Sequence, residues 1–126
     1  MIIKIADYTD LEEILELQQL AFQKEASEYN DYAIEPLTQT IDDLKEDYKK
    51  CLFVKATNAQ NAIIGSARGQ QKNDTTYVRT VVVHPGWQGQ GIGTQLIKTI
   101  EKWYRSSRYE INARFVVQKT SGYMSI

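Results

Sequence analysis

The 126-residue chain has a single cysteine, a single histidine and no long apolar stretch. Because Cys51 stands alone, an internal disulfide is excluded, and the composition fits a reducing compartment. No run approaches the ~20 apolar residues that span a bilayer, and the start "MIIKIADYTD" lacks the apolar core of a signal peptide. We therefore expect a cytoplasmic protein without a membrane partner.

The charge is nearly balanced overall but unevenly placed. Residues 1–50 hold 13 acidic against 5 basic residues, and residues 51–126 hold 3 against 10. An acidic front half attracts a cationic ligand and a basic back half an anionic one, although two solvated surfaces explain the same split. The basic residues are scattered and the sequence pI is about 5.8, so we expect no nucleic-acid partner.

Apolar periodicity predicts one α/β domain over residues 1–126, with the element order β-α-α-β-β-β-α-β. Thr9 with Glu12, and Thr40 with Asp43, have the spacing of capping boxes at the first two helices. Short turns join the middle three strands, which predicts an antiparallel meander, and the last strand returns through a parallel crossover. The predicted strands are 2–7, 51–56, 62–70, 75–84 and 109–118, and the predicted helices are 10–26, one starting near 40, and 91–106. The last helix has one apolar face, made by Ile92, Leu96, Ile100 and Trp103, and the acidic stretch 27–37, which includes Glu28, is predicted as a loop.

The segment "VVVHPGWQGQGIGT" (residues 81–94) carries the strongest functional pattern. A β-branched strand stops at His-Pro, a glycine-rich turn follows, and an amphipathic helix begins at once. The first N–H groups of a helix lack partners within the helix and carry the positive end of its dipole. Glycines at 89, 91 and 93 remove Cβ atoms from that position, so the pattern predicts an anion site, with phosphate as the usual ligand.

Two well-known phosphate fingerprints fail in this segment. Gly86 and Gly91 have the spacing of a P-loop, but Ile92 stands where the lysine belongs. Gly89 and Gly91 fit the start of a dinucleotide-binding turn, but Thr94 takes the place of the third glycine.

A third pattern, Gln/Arg-x-x-Gly-x-Gly/Ala, is met by Gln88, Gly91 and Gly93 directly after "VVVHP". Here the chain resembles the GNAT N-acetyltransferase superfamily, over about residues 1–118. The resemblance implies a GNAT-like mixed β-sheet and acetyl-CoA as cosubstrate. It implies that backbone amides of the turn hold the pyrophosphate and that the valine strand edge pairs with the pantetheine arm. The implied cofactor-binding residues are Val81, Val82, Val83, Gln88, Gly89, Gln90, Gly91, Ile92, Gly93 and Thr94.

The implied activity is transfer of acetyl from acetyl-CoA to a primary amine by direct attack, with a small-molecule or peptide amine as acceptor. Many family members carry a glutamate on the fourth strand, whereas the stretch here is "YVRT" (77–80). Glu28, acting through water, is a weak candidate base, and a solvated surface acid is the commoner role for such a residue. We interpret His84 as a strand end and Cys51 as a core residue, and we predict no metal ligand.

The family continues after its fifth strand into a fourth helix that carries a proton-donating tyrosine, whereas this sequence ends at "QKTSGYMSI". A bare strand-5 edge with an apolar face is a liability. Two outcomes follow: a homodimer covers that edge, or the chain is a shortened and weakly active or inactive relative. The alternative function is therefore a CoA-binding module without turnover.

Overall fold

A computed structural model describes residues 1–29 and 38–111, and for residues 24–29 the backbone alone. The order of elements within these ranges confirms the predicted α/β pattern. The three helices are α1 (Leu11–Tyr29), α2 (Ile41–Lys50) and α3 (Ile92–Trp103), and the five strands are β1 (Ile2–Ile5), β2 (Leu52–Thr57), β3 (Ile63–Lys72), β4 (Thr75–Val83) and β5 (Arg108–Ile111).

The strands form one sheet in the order β1-β2-β3-β4-β5. The first three pairings are antiparallel, and β4 pairs with β5 in parallel, which confirms the meander and the crossover. Asn73 and Asp74, between β3 and β4, both have positive φ angles of 50° and 61°. Two successive left-handed residues match the twist of a tight hairpin, so this turn holds β3 and β4 in register.

The helices cover opposite faces of the sheet. Helices α1 and α2 pack over one face, where Leu11, Phe22, Leu44 and Phe53 are buried. Helix α3 packs over the other face with an apolar side that includes Leu96. Since both faces are covered, the open ends of the strands remain as places where a ligand can reach the backbone.

Two glycines on β3 let α3 approach the sheet closely. A Cβ at Gly69 would collide with Cγ2 of Ile100, and a Cβ at Gly65 would lie 3.0 Å from Cγ2 of Ile92. Backbone and side chain therefore meet here without room for a methyl group. Gly65 also pairs with Val83, so its contact with Ile92 places the start of α3 beside the end of β4.

The start of α2 follows the predicted capping box, but the start of α1 does not. Thr40 N donates to Asp43 Oδ2 at 2.9 Å, and Asp43 N donates to Thr40 Oγ1 at 3.2 Å. The prediction for Thr9 and Glu12 is wrong, because a 3-10 turn over Tyr8–Asp10 precedes α1 and contains Thr9. Asp7 N donates to Asp10 Oδ2 at 2.7 Å, so the capping box belongs to the 3-10 turn and begins two residues before the predicted one.

The ends of α1 and α3 differ from the predicted ones. Helix α1 continues to Tyr29, so Glu28 lies on a helix and not in the predicted loop. Helix α3 ends at Trp103, which is 57% exposed and not on the buried face as predicted. The helix stops there because the next residues bond to the sheet: Ser106 Oγ lies 2.7 Å from Thr76 Oγ1.

Several predictions lie outside the described residues. They concern the rest of the acidic loop, the strand beyond Ile111, the chain end and the homodimer across the strand-5 edge. Within residues 1–29 and 38–111, no helix is long and apolar enough to cross a membrane.

Candidate functional site

Strand β4 carries a β-bulge in its second half. Arg68 of β3 is opposite Arg79, and Ser66 is opposite Val82, so two residues of β4 face one residue of β3. Thr80, in the bulge, has a φ angle of 52°, which is strained for a β-branched residue. Such a bulge bends a strand and turns its backbone groups away from regular pairing.

The three valines after the bulge offer backbone alone to a ligand. Val81, Val82 and Val83 are at most 1% exposed, because their side chains enter the two cores. Among the described residues, β5 pairs with β4 from Thr75 to Val78, before the bulge. The resemblance implies that the backbone of these valines pairs with the pantetheine arm. Such a role needs only main-chain groups, because a strand edge pairs with an extended ligand through its N–H and C=O groups.

His84 shapes the turn that follows. Its Nδ1 accepts a hydrogen bond from Gly86 N at 3.0 Å, and its carbonyl oxygen accepts one from Trp87 N at 2.8 Å. Gln88 Nε2 donates to Val83 O at 3.4 Å and ties the turn back to β4. With Nδ1 engaged in the turn, His84 acts as a strand end, in line with the sequence interpretation.

The turn that leads into the N-terminus of α3, residues 89–91, contains two left-handed glycines, and we call it the mouth of α3. Gly89 and Gly91 have φ angles of 86° and 75°, and Gly91 is the N-cap of α3. Its carbonyl accepts the first helical bond, from Gln95 N at 3.1 Å, so the N–H groups of Ile92 and Gly93 precede the first bond of the helix. A Cβ at Gly91 would meet no atom of the described residues within 4 Å. Within this part of the chain, open space therefore lies in front of the helix N-terminus.

The structure brings together the predicted turn residues at this mouth. Gly89, Gln90 and Gly91 are exposed, whereas Ile92 is 3% exposed and Gly93 is buried. Ile92 and Gly93 could therefore offer a ligand only their backbone groups. The positive end of the α3 dipole lies at the same place. Thr94 lies in the first turn of α3 and is half-buried.

A polar cluster, which the sequence did not predict, lies on the α1–α2 face beside the bulge. Arg68 is 2% exposed, and its Nη1 donates to Asp47 Oδ2 at 3.0 Å. Its Nη2 donates to Gln18 Oε1, and its guanidinium lies 4.7 Å from the centre of the Phe53 ring. Burial lowers the pKa of Arg68, and the Asp47 carboxylate opposes that effect.

Arg79 joins the same cluster from β4. Its Nη2 lies 3.9 Å from Asp47 Oδ1 and 3.6 Å from Cys51 Sγ. Cys51 is 9% exposed and belongs to the α1–α2 core, as expected from the sequence. The side chain of Glu28, the candidate base, lies outside the described residues.

Comparison with known proteins agrees with this geometry. The family model described as "Acetyltransferase (GNAT) family" matches residues 11–120. The chain therefore belongs to the GNAT acetyltransferase family. No curated protein sequence matches it significantly.

Solved structures share the fold. A mutant of protein BH1408 from Bacillus halodurans is 18% identical with a TM-score of 0.72, covering 90% of this chain and 83% of that one. A PaiA N-acetyltransferase from Thermoplasma acidophilum, in complex with coenzyme A, is 19% identical with a TM-score of 0.63, covering 82% and 72%. A GNAT family acetyltransferase from Brucella melitensis, in complex with acetyl-CoA, is 22% identical with a TM-score of 0.67, covering 82% and 68%. At these identities the likeness establishes the fold.

Proposed function

We propose that the protein is an acetyl-CoA-dependent N-acetyltransferase that acts on a primary amine by direct attack. The observation that carries the proposal is the mouth of α3, where left-handed glycines leave open space before helical N–H groups. Membership of an acetyltransferase family supports the same conclusion. So do two of the similar folds, which were crystallised with coenzyme A or acetyl-CoA.

The chain's own groups fit the two parts of this cosubstrate. The amides of Gln88, Gly89, Gly91, Gly93 and Thr94 would hold the pyrophosphate, with Gln90 and Ile92 completing the loop. The backbone of Val81, Val82 and Val83 would pair with the pantetheine arm, which the bulge at Thr80 favours by interrupting regular pairing. These roles require backbone only, and the burial of the valine side chains agrees with that.

The cosubstrate supplies an activated acetyl group as a thioester. The neutral amine of the acceptor attacks the carbonyl carbon, the C–N bond forms, and the C–S bond breaks. A strand amide near Val83 would stabilise the oxygen that becomes negative, since preorganised N–H donors lower the barrier of acyl transfer. The amine loses a proton, and the departing sulfur needs one.

No side chain is assigned to these proton transfers. Glu28 remains the sequence candidate for a base that acts through water, and no carboxylate occurs between Tyr77 and Thr80 on β4. The proposal also takes the chain as a single domain over residues 1–126, working in the cytoplasm, with a homodimer across the strand-5 edge. The lone cysteine and the position of β5 at the edge of the sheet support these points.

Calorimetry and steady-state kinetics test the proposal together. We expect coenzyme A and acetyl-CoA to bind, and we expect CoA to be released when amines from a panel of polyamines, aminoglycosides, amino acids and peptides are added. Absence of CoA binding would refute the proposal. Dephospho-CoA serves as the matched ligand, because it keeps the pyrophosphate and should still bind.

The alternative is a CoA-binding module without turnover. Arg79 lies in the stretch of β4 where many members of the family carry a glutamate, and the absence of a carboxylate there favours the alternative. Tight binding of acetyl-CoA without release of CoA across the whole panel would establish the alternative and exclude the enzyme.

A further inference from the structure

Two arginines share one carboxylate beside the bulge of β4. Arg68 and Arg79 both approach Asp47, from neighbouring strands of the sheet. Among the described contacts of these three side chains, the remaining partners are neutral: glutamine oxygens for Arg68 and a thiol for Arg79. Within the described part of the chain, the group therefore carries one uncompensated positive charge.

That positive charge belongs to Arg79. Asp47 Oδ2 lies 3.0 Å from Arg68 Nη1, an ordinary charge-assisted hydrogen bond, whereas its Oδ1 lies 3.9 Å from Arg79 Nη2. Arg68 is also enclosed by two glutamines and a ring, and its side chain is 2% exposed. The Arg79 side chain is 40% exposed, so its guanidinium is available to a ligand.

Arg79 lies on the same strand as the proposed place of reaction. It directly precedes Thr80 of the bulge and stands four residues before Val83, whose amide is proposed to stabilise the oxyanion. At about 3.3 Å per residue of strand, its Cα is no more than roughly 13 Å along the chain from that valine, a distance that the arginine side chain and the acceptor span together. Its side chain contacts Asp47 of α2 and Cys51 after α2, so it projects on the α1–α2 side of the sheet.

A guanidinium at this position repels a purely cationic acceptor and attracts an anionic group. We infer that the amine acceptor also carries a carboxylate, as a free amino acid does, and that Arg79 binds that carboxylate and determines acceptor specificity. Arginine suits the role because its planar fork matches the two oxygens of a carboxylate. The inference rests on the proposed function and adds the class of acceptor to it.

The test compares amines with their carboxylated counterparts: tyramine with tyrosine, cadaverine with lysine, and agmatine with arginine. For each pair we measure kcat/KM from CoA release, and the dissociation constant by calorimetry in the presence of saturating CoA. The wild type is expected to favour the carboxylated member by at least tenfold in one or more pairs, on the order of 1.4 kcal/mol. The binding measurement decides the question even if no pair is turned over.

Three substitutions at the same position separate specificity from structure. Arg79→Ala is expected to bring the preference close to one, and Arg79→Glu to reverse it, whereas Arg79→Lys keeps part of it as a point charge. The matched control is Arg108→Ala, which removes an arginine that is 72% exposed and pairs with Glu110 at 3.1 Å. The control should keep the wild-type preference.

The outcomes distinguish the two levels of the argument. If CoA does not bind, the proposed function fails and this inference fails with it. If CoA binds but both members of every pair behave alike, or neither binds, only the inference is overturned. If the role of Arg79 were purely structural, its replacement would lower the melting temperature and change the kinetics and binding of both members of a pair equally. A changed ratio in Arg79→Ala, absent in Arg108→Ala, therefore supports the inference.

Discussion

Substitution of Gly91 is the sharpest test of the proposed pyrophosphate site at the mouth of α3. The φ angle of Gly91 is 75°, and a Cβ placed on it would meet no atom of residues 1–29 and 38–111 within 4 Å. In Gly91→Ala the new methyl group would therefore strain the backbone without a clash against these residues. It would instead fill the space through which a diphosphate approaches the helix amides.

The two effects have different sizes. A left-handed conformation costs a residue with a Cβ roughly 1–2 kcal/mol. For a chain of this length, with an unfolding entropy of ~0.26 kcal/mol per degree, a loss of about 1 kcal/mol lowers the melting temperature by about 4 °C. Loss of one hydrogen bond to a charged group is worth about 1.5–3 kcal/mol, so CoA binding should weaken on the order of 10- to 100-fold.

Gly91→Asn separates strain from obstruction. Asparagine tolerates the left-handed conformation, so its melting temperature should lie above that of Gly91→Ala. Its larger side chain fills more of the space, so its CoA affinity should be no better. Gly86→Ala is the control in the same turn: its Cβ would lie 3.3 Å from His84 Nδ1, and we assign Gly86 no part in the pyrophosphate site.

Thermal unfolding without ligand and calorimetric titration with CoA measure the two quantities. We expect the three variants to rank differently in the two assays. If the dissociation constants for CoA of both Gly91 variants stay within about twofold of the wild-type value, the assignment of the diphosphate to the mouth of α3 is refuted.

Three further predictions concern stability, each measured by urea unfolding. Gly69→Ala should destabilise by more than about 1 kcal/mol, because the new Cβ meets Ile100, and an unchanged midpoint would contradict the packing. Asp10→Asn leaves the buried Lys55 without its carboxylate at 2.6 Å, so a loss of about 3 kcal/mol is expected at pH 7. Burial is the largest single influence on the pKa of Asp10 and raises it, but the hydrogen bonds from Lys55 and Asp7 N, together with the charges of Lys55 and Lys4, outweigh burial and lower the pKa. The wild-type advantage should therefore shrink as pH falls below about 4, and a constant difference would exclude this origin. Thr80→Asn should stabilise by about 0.5 kcal/mol through relief of the left-handed strain, and destabilisation would indicate a contact that offsets it.

The element order was predictable because each element has its own local signal. Ile41, Leu44 and Tyr48 lie on one side of α2, and the structure places them in or against the core. Thr40 and Asp43 lie three residues apart and bond to each other's backbone, so their spacing alone was sufficient. Trp103 misled the prediction, since periodicity does not indicate where a helix leaves the sheet.

Some parts of the candidate site could be predicted from the sequence and others could not. The glycine turn was visible in the sequence because strand, turn and helix are consecutive and need only local backbone geometry. The bulge at Thr80 was not, since it depends on how β4 pairs with β3 and has no composition signal. The contacts of Arg68 were not visible either, because its partners come from separate elements.

The sequence by itself determined the class of fold, the family and the strand–glycine turn–helix unit proposed as the anion site, because these depend on patterns of neighbouring residues. Tertiary structure alone decided which charges meet: Arg68 reaches Asp47 across 21 positions and Gln18 across 50. Asp47 is thereby committed to the buried arginine, and Arg79 keeps an exposed positive charge beside the bulge. Charges so distant in the chain interact only after packing has brought them within a few ångströms and excluded water from between them.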